Sequence, residues 1–224
     1  IESLADLAID VKEVIDIIDV GKAHFVGWST GGGVVMKLAI LYPELVESLI
    51  LLNSLSTRGY PYFLMDDEGK PVKRAETKEE ILQDKWKYIP ISNAYKEKNA
   101  EFLKSVWNQL IYTKNQPDEK RYDEYVEDMC TQRNLAEIYD ANNRFNISCH
   151  GGTGEVDKIT APVLIFGGER DLVVTKEMVE ETREDFGDRA EFHLLTDCGH
   201  SPLIDDLPQL LQVMTNFIDK HREK

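Results

Sequence analysis

Three side chains carry acyl-transfer chemistry if the fold gathers them. Ser29 sits in Gly27-Trp28-Ser29-Thr30-Gly31, Asp171 closes Gly167-Gly168-Glu169-Arg170-Asp171, and His200 lies in Cys198-Gly199-His200-Ser201-Pro202. A serine hydroxyl is a weak nucleophile unless a base takes its proton during attack. An imidazole, which ordinarily titrates near pH ~6.5, does this near neutrality. A carboxylate on its other nitrogen fixes the tautomer and stabilises the imidazolium that forms. The spacing G-x-S-x-G adds a mechanical argument. A serine on a sharp strand-to-helix turn has strained backbone angles, and a Cβ two residues to either side would meet the neighbouring strand or helix. The turn lifts Ser29 Oγ clear of the sheet and aims the backbone N–H of Thr30 at an oxyanion formed there.

Taken singly, each signal has a plainer reading. G-x-S-x-G is also a tight turn, Asp171 a solvated turn acid, and His200 a loop or core histidine. A phosphate loop is excluded, because no lysine follows the glycines. Asp197 competes as the acid through its closeness to His200, whereas Asn53, after a strand, cannot serve as a carboxylate. Cys149-His150 and Cys198-x-His200 lack further partners at zinc spacing, so no metal is expected, and no organic cofactor is implied.

The elements that must position these groups are readable from periodicity. Residues 3–19 form an amphipathic helical pattern with Ser3 as its cap and Asp6 three residues on. Residues 23–28 have strand character and run into a helical pattern beyond Thr30. Residues 49–53 and 162–167 are apolar on both faces, as a parallel strand covered by helices requires. A shorter strand is expected over 190–195, with helices over 175–186 and 207–221. Strand alternates with helix, which predicts an α/β fold with a mostly parallel sheet. Ser29, Asp171 and His200 each follow a strand, where such sheets keep their sites.

Between 54 and 157 the text changes to charged and aromatic helical stretches, predicted over 77–88, 94–112, 119–133 and 135–144. This block is too long and too structured for a loop. It reads as an inserted helical cap, dividing the chain into core (1–53), cap (54–157) and core (158–224). Trp28 is expected to pack beside the turn. With Tyr60, Trp86 and Trp107 it is a candidate for the substrate wall.

The 224 residues carry a formal charge of −15, which argues against nucleic acid and anionic membrane as partners. No apolar run is long enough for a bilayer span. Three irregularly spaced cysteines argue against a disulfide framework and fit a reducing cytoplasm.

The order Ser29…Asp171…His200, on these three motifs, resembles that of the α/β-hydrolases over essentially the whole chain. The resemblance implies Ser29 as nucleophile, His200 as base, and Asp171, after the preceding strand, as acid. It implies a lid where the insert lies, and a cofactor-free serine hydrolase of small or medium carboxylic esters working through an acyl-enzyme. Carbon–carbon bond hydrolases, thioesterases and lactonases share the triad, and a slow hydrolase-like ligand-binding protein is the rival from another class. His150-Gly151-Gly152 is similar to a lipase oxyanion loop, but it trails the cap and reads as a hinge. Members carry several strands before the turn strand, whereas one helix precedes it here. The expectation is a chain without the N-terminal strands, its turn strand at an open edge or paired elsewhere, and the second oxyanion donor outside it.

Overall fold

The computed structural model describes residues 1–222. The first helix, α1 (Leu4–Ile17), starts where the cap pattern puts it: Ser3 Oγ accepts from Ala5 N at 3.2 Å and Asp6 Oδ2 accepts from Ser3 N at 3.0 Å. It leads to β1 (Ala23–Trp28), α2 (Thr30–Leu41) and β2 (Val46–Leu52). After the insert come β5 (Val163–Gly168), α8 (Lys176–Phe186), β6 (Ala190–Leu195), α9 (Pro202–Asp205) and α10 (Leu207–His221). Four strands form one sheet in the order β1-β2-β5-β6, and every neighbouring pair is parallel.

Alternation along the two central strands shows why their sequences are apolar throughout. Leu49, Leu51, Val163 and Ile165 face a core built with α1, α2 and α8, through Leu4, Val35, Leu38, Met178 and Phe186. Ile50, Leu52, Leu164 and Phe166 face the other way, onto Leu210 and Phe217 of α10. Burying both parities is what helices on both faces demand. Among the described residues β1 pairs only with β2, so it stands at the sheet edge, with Val26 45% exposed.

The insert differs from its predicted outline in two ways. It contains an antiparallel hairpin, β3 (Phe63–Met65) and β4 (Pro71–Arg74), where no strand was expected. The hairpin forms its own two-stranded sheet, and among the described residues no strand of the insert joins the main sheet. The long helices are also broken. The stretch expected over 77–88 is helical only as α3 (Lys78–Leu82), and α4 (Tyr88–Glu97) starts a new element. The stretch expected over 94–112 stops at Lys98, which is left-handed at φ 53°, and Asn99 caps α5 (Ala100–Leu110) by accepting from Phe102 N. Then α6 (Glu119–Met129) ends short of the expected 133, and α7 (Leu135–Arg144) follows as expected. These helices share a small apolar cluster of their own, around Ile91, Tyr95, Leu103, Tyr122 and Val126.

Candidate active site

Ser29 ends β1 and caps α2 with φ 54° and ψ −124°, a conformation that costs any residue bearing a Cβ. It is held by three backbone bonds: Ser29 N donates to Leu52 O at 3.1 Å, and Ser29 O accepts from Gly32 N at 3.0 Å and Leu55 N at 3.1 Å. Glycine is required on one side only. A Cβ on Gly27 would sit 2.4 Å from Gly31 O and 2.6 Å from Gly32 Cα, both backbone atoms, whereas one on Gly31 would meet nothing within 4 Å. The expected two-sided crowding is therefore corrected to the strand side. Thr30 is the first residue of α2, so its N–H has no carbonyl one turn back.

Of the two candidate acids, Asp171 is the one that contacts His200. Asp171 Oδ2 lies 2.9 Å from His200 Nδ1, and Oδ1 lies 3.2 Å from it. Both side chains are buried, 1% and 2% exposed. Asp171 Oδ1 accepts from the backbone N–H of Val173 at 2.8 Å and Val174 at 2.9 Å. Asp197 points elsewhere, pairing with Lys114 at 2.9 Å and Arg170 at 2.7 Å, cations that hold its carboxyl below the usual range. Trp28 packs its ring 5.4 Å from that of His200 and donates from Nε1 to His200 O at 2.8 Å.

Ser29 and His200 open onto one cavity of about 510 Å³, shared with Trp28, Thr30, Trp107, Tyr125 and Met129. Among the described residues no hydrogen bond joins Ser29 Oγ to His200, so the expected direct contact is absent in this conformation. Such contacts often tighten only when substrate is bound. Of the candidate wall residues, Trp28 and Trp107 line the cavity; Tyr60 and Trp86 do not. Trp86 is 52% exposed and lies beside Gly69 in the hairpin turn. Tyr60 joins Tyr62 and Tyr139 around the Lys87 ammonium, at 5.6, 4.9 and 4.5 Å from the ring centroids. Burial there pushes the Lys87 ammonium down. Burial, with the charge of Asp171 adding, pushes the Tyr60 phenol up.

His150 is 55% exposed and faces Asp185 at 3.6 Å rather than the site. Among the described residues no group of three His, Cys, Asp or Glu could hold a metal, and no helix is long and apolar enough to cross a membrane. Asn53, set aside in the sequence only as an acid, and Asn142, which sequence reasoning passed over, do enter the site's framework. Asn53 bonds to Asp171, and Asn142 donates from Nδ2 to Thr30 Oγ1 at 2.8 Å. An asparagine after a strand reads as a turn residue, and one late in a helix gives no signal.

Comparison with known proteins adds the family. The chain is 26% identical over 211 residues to the 2-hydroxy-6-oxononadienedioate/2-hydroxy-6-oxononatrienedioate hydrolase of Paraburkholderia phymatum; that match covers 93% of the chain and 66% of the relative. An esterase from Exiguobacterium antarcticum superposes with a TM-score of 0.68 at 18% identity, covering 97% of this chain and 74% of that one. Est816, described as an N-acyl homoserine lactone degrading enzyme, gives 0.62 at 20% identity, covering 96% and 75%. The chain thus spans just under two thirds of the length of the curated relative. A family model for the alpha/beta hydrolase fold matches residues 2–207. With its parallel β1-β2-β5-β6 sheet and the serine turn between β1 and α2, the chain belongs to the α/β-hydrolase family.

Proposed function

We propose that this chain carries the nucleophile, base and acid of a serine hydrolase that cleaves small or medium carboxylic esters through an acyl-enzyme on Ser29. The observation that carries this reading is the buried Asp171–His200 pair, bonded through Nδ1, beside a cavity that also exposes Ser29. With Nδ1–H donated to Asp171, Nε2 is the basic nitrogen. Ser29 rotates toward it and attacks the ester carbonyl as Nε2 takes the hydroxyl proton. Thr30 N–H stabilises the oxyanion, and Nε2 then returns the proton to the leaving alcohol. Water repeats the sequence on the acyl-enzyme.

Residues 54–157 serve in this reading as a lid, since Trp107, Ile111, Tyr125 and Met129 from α5, α6 and the turn between them form one wall of the cavity. The same wall favours an uncharged, partly apolar substrate, and the place of work is the cytoplasm. Carbon–carbon bond hydrolysis is the second reading, favoured by the name of the Paraburkholderia relative, whose substrates are dicarboxylates. Among the described residues, however, no lysine or arginine lines the cavity, and its one carboxylate, Asp128, repels such a substrate.

A fluorophosphonate probe followed by mass spectrometry of the Ser29 peptide tests the proposal, with p-nitrophenyl esters as substrates. Labelling at Ser29, its loss in Ser29→Ala, and falling kcat/KM at acid pH as the base takes up a proton are expected. Ester turnover that survives Ser29→Ala would remove the proposal.

A further inference from the structure

Asn53 is fully buried and follows β2, the strand between those that end at Ser29 and Asp171. Its backbone is left-handed at φ 42°, a conformation asparagine tolerates better than most residues. Its Nδ2 donates both protons, to Asp171 Oδ2 at 3.0 Å and to Gly199 O at 2.8 Å. Its Oδ1 is buried with no partner among the described residues. Turning the amide over would set Oδ1 against two oxygen acceptors. Asp171 and Gly199 therefore fix the orientation of the amide.

Both bonds bear on His200. Asp171 Oδ2 is the oxygen nearer to His200 Nδ1. Gly199 O belongs to the peptide that joins Gly199 to His200, and Gly199 N is held from the other side by Asp205 Oδ2 at 2.7 Å. One amide thus ties the acid-bearing and base-bearing loops to the end of β2. Asn53 is not among the residues lining the cavity.

We propose that Asn53 is a positioning residue, whose amide holds the Asp171 carboxylate and the His200 loop in register and tempers how strongly Asp171 stabilises the imidazolium. The inference rests on the serine hydrolase reading. A donor on Oδ2 shares the carboxylate's charge. Without it, the carboxylate is a stronger partner for protonated His200, so the base holds its proton to higher pH. The loops also lose a common anchor, so the reacting geometry loosens while the cavity wall stays.

Two variants test this on the full chain. Asn53→Gly removes the amide and keeps the left-handed backbone. Asn53→Asp keeps the shape and, because two carboxyls about 3 Å apart share one proton, keeps a donor on Asp171 Oδ2 while losing the one to Gly199 O. For Asn53→Gly, kcat falls about tenfold or more, KM stays within about twofold, and the acid limb of kcat/KM moves up by about half a pH unit. For Asn53→Asp the shared proton leaves the pair a single negative charge, so the limb stays near that of the wild type while kcat falls, because the bond to Gly199 O is lost. The downfield Nδ1–H resonance of His200, followed against pH, reports the same shift without turnover. An Asn53→Gly variant that keeps the wild-type limb and resonance, whether or not it loses stability, overturns the inference, and so does an Asn53→Asp variant that keeps the wild-type kcat. Fluorophosphonate labelling separates the two failures: if Ser29 of the wild-type chain is not labelled, the hydrolase reading fails; if it is labelled and the Asn53 profiles do not move, only this inference does.

Discussion

Replacing Ser29 by glycine should stabilise the protein, although glycine substitutions ordinarily do the reverse. At φ 54° and ψ −124° Ser29 occupies a region that is strained for any residue with a Cβ, at a cost of about 1–3 kcal/mol. Its side chain makes no capping bond to α2, and it is half-buried, so little contact is lost with it. Against the relief stands glycine's extra freedom in the unfolded chain, about 0.5–1 kcal/mol. The net expectation is a gain of about 1 kcal/mol for Ser29→Gly relative to Ser29→Ala, because alanine removes the hydroxyl but keeps the strain. For a chain of this size that is about 2–4 °C in Tm. Urea titration and calorimetry on the wild type and both variants measure it. Glu13→Gly, on the exposed face of α1, serves as the ordinary case and should lose about 1 kcal/mol. A Ser29→Gly protein that melts at or below Ser29→Ala would show that the turn is not strained, and the argument for stored strain at the nucleophile would fall.

Two further outcomes are expected. Gly27→Ala places a Cβ against backbone that cannot yield, so it should cost about 3 kcal/mol or more, read as lost Tm or insoluble product. In an alkaline titration followed by phenolate absorbance, Tyr60, Tyr62 and Tyr139 should lag behind free tyrosine, with Tyr95, Tyr112 and Tyr122 pushed up to about 12, chiefly by burial. Because the folded state holds these protons after the unfolded state has released them, stability should fall as pH rises above ~10. Tyrosines that all titrate together near pH ~10 in the folded protein would contradict the burial described.

What the sequence made legible followed from strong local constraints. The runs over 49–53 and 162–167 could be assigned because both parities were apolar, which few other settings permit. The choice of Asp171 over Asp197 rests on the family resemblance, which puts the acid after the preceding strand, and the ion pairs of Asp197 with Lys114 and Arg170 show what occupies the rival. The hairpin was missed because its strands are three and four residues long and mostly exposed, so they carry no apolar run. The break at Lys98 was hidden because lysine is an ordinary helix former, and only its left-handed backbone marks the end. Tyr60 and Trp86 were placed near substrate on residue type alone. Neither lines the cavity that exposes Ser29: Tyr60 packs around Lys87, and Trp86 lies beside the hairpin turn.

The pairing of β2 with β5 has a consequence for how the chain reaches this structure. Leu49 pairs with Val163 and Leu52 with Phe166, across the whole insert. Closing a flexible loop of roughly a hundred residues costs about 2 kcal/mol more entropy than closing one of ten, before the sheet returns anything. Helices α3 to α7 shorten that span when they form within it. Asn53 meets Asp171 only once the two central strands pair. The turn that carries Ser29 and the loops that carry the candidate acid and base therefore come together across the longest connection in the described chain.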